Sequence, residues 1–230
     1  MNLVGFPIRS VLVGAVACVV LAACSSPVAR FHSLLAADSV AVAAPAPASA
    51  LIVDVLPVRV PPSVAGRRLV AHASSDQVDV LEMDRWASPV ADEIRAALSS
   101  GLASQTGAMD IHGLPYGEKR PVYRLAVDVQ RFDAWPGSSV LIDAVWTIRT
   151  GENRPMLTCR SVVREYVSAG IDGVVQGQRR ALNALASQMA EPLLAHAAAP
   201  SEAARPMPSC VDSSASMLGQ VSLVDQRAPQ

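Results

Sequence analysis

Between residues 123 and 167 the chain alternates apolar and polar residues over three successive stretches, and no other feature restricts its fold as tightly. Tyr123, Leu125, Val127 and Val129 alternate with Arg124, Asp128 and Gln130. Such a period of two belongs to a strand with one buried and one wetter face. Trp135-Pro136-Gly137-Ser138 is a turn, after which Val140, Ile142, Ala144, Trp146 and Ile148 share one face against Asp143, Thr147 and Arg149. A second turn over Gly151 to Pro155 leads into a third long strand, Met156 to Val167. Long strands joined by short turns predict an antiparallel meander with one apolar face to cover.

Two helices supply the cover. Ser88-Pro89 is an N-cap followed by proline at the first helical position, and Val90, Ile94, Leu98 and Leu102 then recur every four residues to form one stripe ending near Ser104. Asp172 can cap a second helix running toward His196, with Val175, Leu182, Leu185, Met189 and Leu193 on one side and Pro192 loosening its last turn. Packing both stripes on one face of the sheet predicts an α+β fold: two layers, a mainly antiparallel β-sheet, and two amphipathic helices on one side.

The other strands are shorter. Phe31 to Leu35 is strand-like, and the Ala/Pro/Ser-rich stretch 36–50 that follows has no period and reads as a flexible linker or long loop. Leu51 to Val60 predicts a strand stopped by Pro61-Pro62. Arg68 to Ala73 and Gln77 to Leu81 flank Ser74-Ser75-Asp76 as a hairpin. From 197 to 230 periodicity is lost and a disordered tail is expected, although Met217, Leu218, Val221, Leu223 and Val224 offer a short docking segment.

Compartment is decided at the other end. Arg9 followed by the apolar run Val11 to Ala23 reads as a signal peptide over residues 1–23, too short to span a bilayer. Leu21-Ala22-Ala23-Cys24 has the form of a lipobox, whose small residues suit a peptidase cleft and whose thiol can carry a diacylglyceryl thioether. An ordinary signal peptide cleaved elsewhere would leave Cys24 a passenger. On the lipobox reading Cys24 is the lipidation site and its freed amine takes a further acyl chain such as palmitate. Each buried methylene contributes about 0.8 kcal/mol, so several chains anchor the protein firmly. Cleavage removes Arg9 and no acid from 19 basic and 20 acidic residues, leaving 18 against 20, a balance of −2. That balance excludes a nucleic-acid footprint and gives little overall pull toward anionic lipid.

The search for chemistry finds no catalytic constellation. His32, His72, His112 and His196 lack any metal-ligand spacing, no G-x-S-x-G elbow accompanies the serines, and Gly170 to Gly177 matches no phosphate-loop pattern. No metal or cofactor is expected. Those glycines read as turn residues at the start of the second helix, and the adjacent Asp92 and Glu93 as the solvated face of the first. With Cys24 lipidated, Cys159 and Cys210 are a candidate disulfide in an oxidising compartment, or Cys159 is a buried small apolar residue. Trp146, mid-strand, is expected in the core; Trp135, at a turn, is the candidate contact with a partner or membrane, or else a packed hairpin corner.

Phe31-His32-Ser33-Leu34, Leu51 to Pro61, Asp84-Arg85-Trp86-Ala87 before the first helix, Tyr123-Arg124-Leu125 and Val145-Trp146 stand in that order behind the lipobox. As an ordered set over residues 24–195, they resemble the PqiC/YmbA family of ABC-type transport auxiliary lipoproteins. The resemblance implies a non-enzymatic, periplasm-facing lipoprotein that works with an MCE-domain protein and an inner-membrane permease in moving lipid between membranes and maintaining envelope integrity. It also implies self-association into a homo-oligomer. Ser25, after the lipidated cysteine, resembles an outer-membrane sorting signal. From the anchor alone, a structural or chaperone-like lipoprotein of outer-membrane assembly is the alternative, followed by a periplasmic lipid-binding carrier. The alanine-rich stretch after the first strand and the extended tail depart from the family pattern.

Overall fold

A computed structural model describes residues 28–35, 51–117, 120–150 and 154–198. Cys24, Ser25, Cys210, the 36–50 stretch and the tail beyond residue 198 lie outside the described residues. The strands are β1 (Arg30–His32), β2 (Ile52–Val55), β3 (Arg68–His72), β4 (Val78–Trp86), β5 (Met109–Asp110), β6 (Val122–Trp135), β7 (Ser139–Thr150) and β8 (Arg154–Tyr166). The helices, numbered here in order, are α1 (Val90–Thr106) and α2 (Ile171–Ala198).

The meander is present as expected. β6, β7 and β8 pair antiparallel, and a five-stranded sheet forms in the order β5-β2-β6-β7-β8. Two features modify the expectation. β2 runs parallel to both β5 and β6, which makes the sheet mixed, and β1, β3 and β4 form a separate three-stranded sheet in the order β1-β4-β3. β1 and β2 thus follow one another in sequence but sit in different sheets, on either side of the 36–50 stretch.

Both helices cover one face of the five-stranded sheet, α2 against β6, β7 and β8, and α1 against β2, β5 and α2. The helical periodicity holds: Val90, Ile94, Leu98 and Leu102 are all fully buried. So are Leu185, Met189 and Leu193 of α2, opposite Val140, Ile142, Ala144 and Ile148 of β7. Trp146 joins this core and donates its indole N–H to Ser161 Oγ at 2.9 Å, which satisfies the one polar atom that so large a buried ring carries.

Three local readings are corrected. Helix α2 continues past a buried Pro192 to Ala198, so this proline sits inside the helix, not near its end. Of the glycines at its start, Gly170 supplies a positive φ of 86° at the turn, but Gly177 is there for packing: a Cβ on it would lie 2.2 Å from Val167 Cγ1. Glu93, expected on the solvated face of α1, is buried, because the chain from β1 crosses the start of that helix.

Candidate functional surface

Two surfaces are organised by polar side chains, and neither has the geometry of an active site. The first is the attachment of β1. Arg30, itself exposed, donates to Asp84 Oδ2 at 2.9 Å, and the largely buried ring of His32 places Nε2 2.8 Å from Asp84 Oδ1. Burial pushes the Asp84 carboxyl up, but the hydrogen bonds from Arg30 and His32 outweigh it and hold the group below its ordinary range. Just beyond the strand, Glu93 accepts four hydrogen bonds, from Ser33 Oγ and the Leu34 N–H on one oxygen and from the Ser88 N–H and Oγ on the other. Arg179 of α2 closes the arrangement by donating twice to the Ser33 carbonyl, at 3.0 and 2.6 Å. A carboxylate at the first turn of a helix also faces the positive end of the helix dipole. The cluster fastens a strand and leaves no lone pair aimed at a substrate.

The second surface is the face of the five-stranded sheet that the helices leave uncovered. Arg160 grips Asp143 with two parallel hydrogen bonds, Nε at 2.9 Å and Nη2 at 2.7 Å, which hold that carboxyl below its usual range against the opposing effect of its burial. Trp135 stacks on His72 at 4.5 Å, with the Arg164 guanidinium 5.7 Å from its ring centroid. Its corner is therefore packed on one side, and the residue is half-buried. Farther along, a groove of about 690 Å³ is lined by Leu56, Arg59, Ala126, Asp128, Val145 and Thr147 among others, with Arg59 ion-paired to Asp128 across it. Paired charges with short apolar patches between them suit a wet protein contact better than an apolar ligand.

The remaining sequence candidates fall apart in space. His112 bonds Asp54 at 2.9 Å, and His196 meets Tyr123 edge-on. Among the described residues no group of three or more His, Cys, Asp or Glu is placed to hold a metal ion. No described helix is long and apolar enough to cross a membrane. Cys159, on the helix-covered face of β8, is buried and disulfide-bonded, its partner lying outside the described residues. Sequence reasoning missed the Glu93 and Asp84 clusters. The signal available was a carboxylate in the first turn behind Ser88, the raw material of a helix cap.

A family model described as an ABC-type transport auxiliary lipoprotein component matches residues 33–190. No curated protein matches significantly. Among solved structures, an uncharacterized protein is 18% identical with a TM-score of 0.58, over 73% of this chain and 99% of its own. The protein XCC0632 from Xanthomonas campestris is 13% identical with a TM-score of 0.50, over 61% of this chain and 81% of its own. At such identities these two likenesses speak for the fold.

Proposed function

This chain belongs to the family of ABC-type transport auxiliary lipoprotein components, and from that premise we propose that it is a non-enzymatic, lipid-anchored, periplasm-facing subunit of an MCE-type intermembrane lipid transport system that preserves envelope integrity. The observation that carries the reading is the family match over residues 33–190, directly behind the lipobox ending at Cys24. Cys24 carries the lipid, and Ser25 after it directs the protein to the outer membrane. An MCE-domain protein, and through it an inner-membrane permease component, are the partners. The domain works as a homo-oligomer whose contacts include the uncovered sheet face at Trp135. Its paired charges, Asp143–Arg160 and Arg59–Asp128, fit a role in assembly because they give specificity and orientation to a docking partner.

Cys210 is the partner of the Cys159 disulfide, since Cys18 leaves with the signal peptide and Cys24 is acylated. Peptide mapping without reduction should recover the 159–210 pair.

Affinity purification of the full-length lipoprotein from its native envelope in mild detergent, with Cys24→Ser in parallel, tests the function. An MCE-domain protein and its permease should copurify with the wild type, and Cys24→Ser should remain an unlipidated precursor. Recovery of a β-barrel or secretin in their place would move the protein to outer-membrane assembly. A preparation free of protein partners but carrying lipid would make it a carrier.

A further inference from the structure

Among the described residues the outer face of the three-stranded sheet combines an exposed aromatic residue with a cluster of arginines. His32, Asp84 and Trp86 face the domain, and Arg30 reaches Asp84 from the edge, so Phe31 and Arg85, which alternate with them, lie on the opposite face. Phe31 of β1 is in register with Arg85 of β4, and Arg85 with Arg68 of β3. Directly paired residues share a face, so one row across this sheet presents an aromatic ring and two guanidiniums. Phe31 is 62% exposed, and Val80, beyond a β-bulge that breaks the β3–β4 register between Arg68 and Leu69, is 45% exposed. Arg68 is paired with Glu82, whereas Arg85 donates to the Glu82 carbonyl and Arg67, next to the row, to the Ala87 carbonyl. Among the described residues these last two guanidiniums meet no carboxylate, which leaves a local positive charge that the balance of −2 over the whole mature chain conceals.

An exposed aromatic ring flanked by unneutralised arginines is the composition of a surface that sits at a lipid–water boundary, the ring in the acyl region and the guanidiniums among the phosphates. Its place in the chain identifies the bilayer. The seven residues from Cys24 to Phe31 reach at most about 25 Å when fully extended, and β1 is bound to the domain by Asp84, Glu93 and Arg179. We propose that the Phe31–Arg85–Arg68 row, with Arg67 beside it, docks on the phospholipid headgroups of the membrane that holds the anchor. The domain then stands in one orientation and does not swing on its tether, and the helix-free face of the larger sheet keeps a fixed bearing. This inference rests on the lipid-anchor reading.

The test labels Phe31→Cys with an environment-sensitive nitrobenzoxadiazole dye in the full-length lipidated protein, reconstituted in phosphatidylcholine vesicles with and without phosphatidylglycerol. Leu114→Cys, at another exposed apolar position, serves as the reference. The dye at position 31 should emit to the blue and be quenched by nitroxide-bearing lipid at least threefold more than the dye at 114. Arg67→Glu with Arg85→Glu should at least halve that quenching, most strongly with phosphatidylglycerol. Intact mass reports the acyl chains separately, and a parallel sample is tethered through an N-terminal hexahistidine tag to nickel-chelating lipid, so loss of the anchor and loss of the contact are read apart. A dye at 31 that remains in water on both tethers overturns the proposal. One that is shielded only in a detergent-solubilised complex with other envelope proteins reassigns the row to a protein partner.

Discussion

On the five-stranded sheet, Val140, Ile142, Ala144 and Ile148 lie wholly buried on the face that the helices cover, whereas β1 on the three-stranded sheet is fastened by Arg30 and His32, closing on Asp84. The larger layer is held by apolar area removed from water, which is non-directional and indifferent to pH. The strand nearest the anchor is held by charge-assisted hydrogen bonds, which are directional and fail one partner at a time. The division lets β1 be loosened while the body keeps its shape.

The comparison breaks most visibly if the core is not common to both parts. Leu98 is fully buried under α2, and Leu98→Ala should cost about 3 kcal/mol, lowering Tm by about 9 °C. Because α1 carries both Leu98 and Glu93, the loss should appear as one transition in calorimetry. Separate melting of the two sheets would show that the division extends to stability.

Gly177→Ala tests the body alone. The added methyl falls 2.2 Å from Val167 Cγ1 and 3.3 Å from Val140 Cγ2, so the start of α2 must move off the sheet, at a cost of about 2 kcal/mol. Denaturant melts should register that cost while hydrogen-exchange protection of β1, referred to global stability, stays as in the wild type.

The two regions also differ in how far the sequence reveals them. Period-two and period-four patterns located β6, β7, β8 and both helices, because burial on one face of a regular element leaves a regular trace. The 68–81 hairpin was visible through Ser74-Ser75-Asp76. The split into two sheets was not, since pairing partners are chosen across the 36–50 stretch and by tertiary packing. Nor was the two-residue β5, which is too short to carry a period. Glu93 read as solvated because helical position alone cannot report a distant strand folding over the first turn. At the uncovered face Trp135 was singled out, but its partners His72 and Arg164 come from elements remote in sequence.

Glu93→Gln sharpens the contrast from the other side. The amide keeps the shape but turns one acceptor into a donor, and whichever way it is placed either Leu34 N–H or Ser88 N–H faces an NH₂ group. The hydroxyls of Ser33 and Ser88 can rotate to accept, but the backbone donor cannot. About 1.5 kcal/mol should be lost, and amide exchange in residues 31–35 should quicken well before that of β7.

Acid gives the smallest and most selective effect. Asp84 is held below its ordinary value in the folded state, so its contribution is fully present above the unfolded carboxylate pKa of about 3.9 and is lost as pH falls through the lower folded value. Asp143 has the same sign but sits on the body, where the buried apolar residues around it have no proton to gain. Exchange protection of residues 30–32, corrected for intrinsic rates, should therefore fall below about pH 4 while that of β7 changes little. In Asp84→Asn the strand should be loosened by about 1 kcal/mol already at neutral pH, and the acid-dependent share of its exchange should flatten. If β1 and β7 instead lost protection together in acid, with Asp84→Asn following the wild type, the anchor-proximal strand would be held by packing after all, and the ionic attachment would be incidental to it.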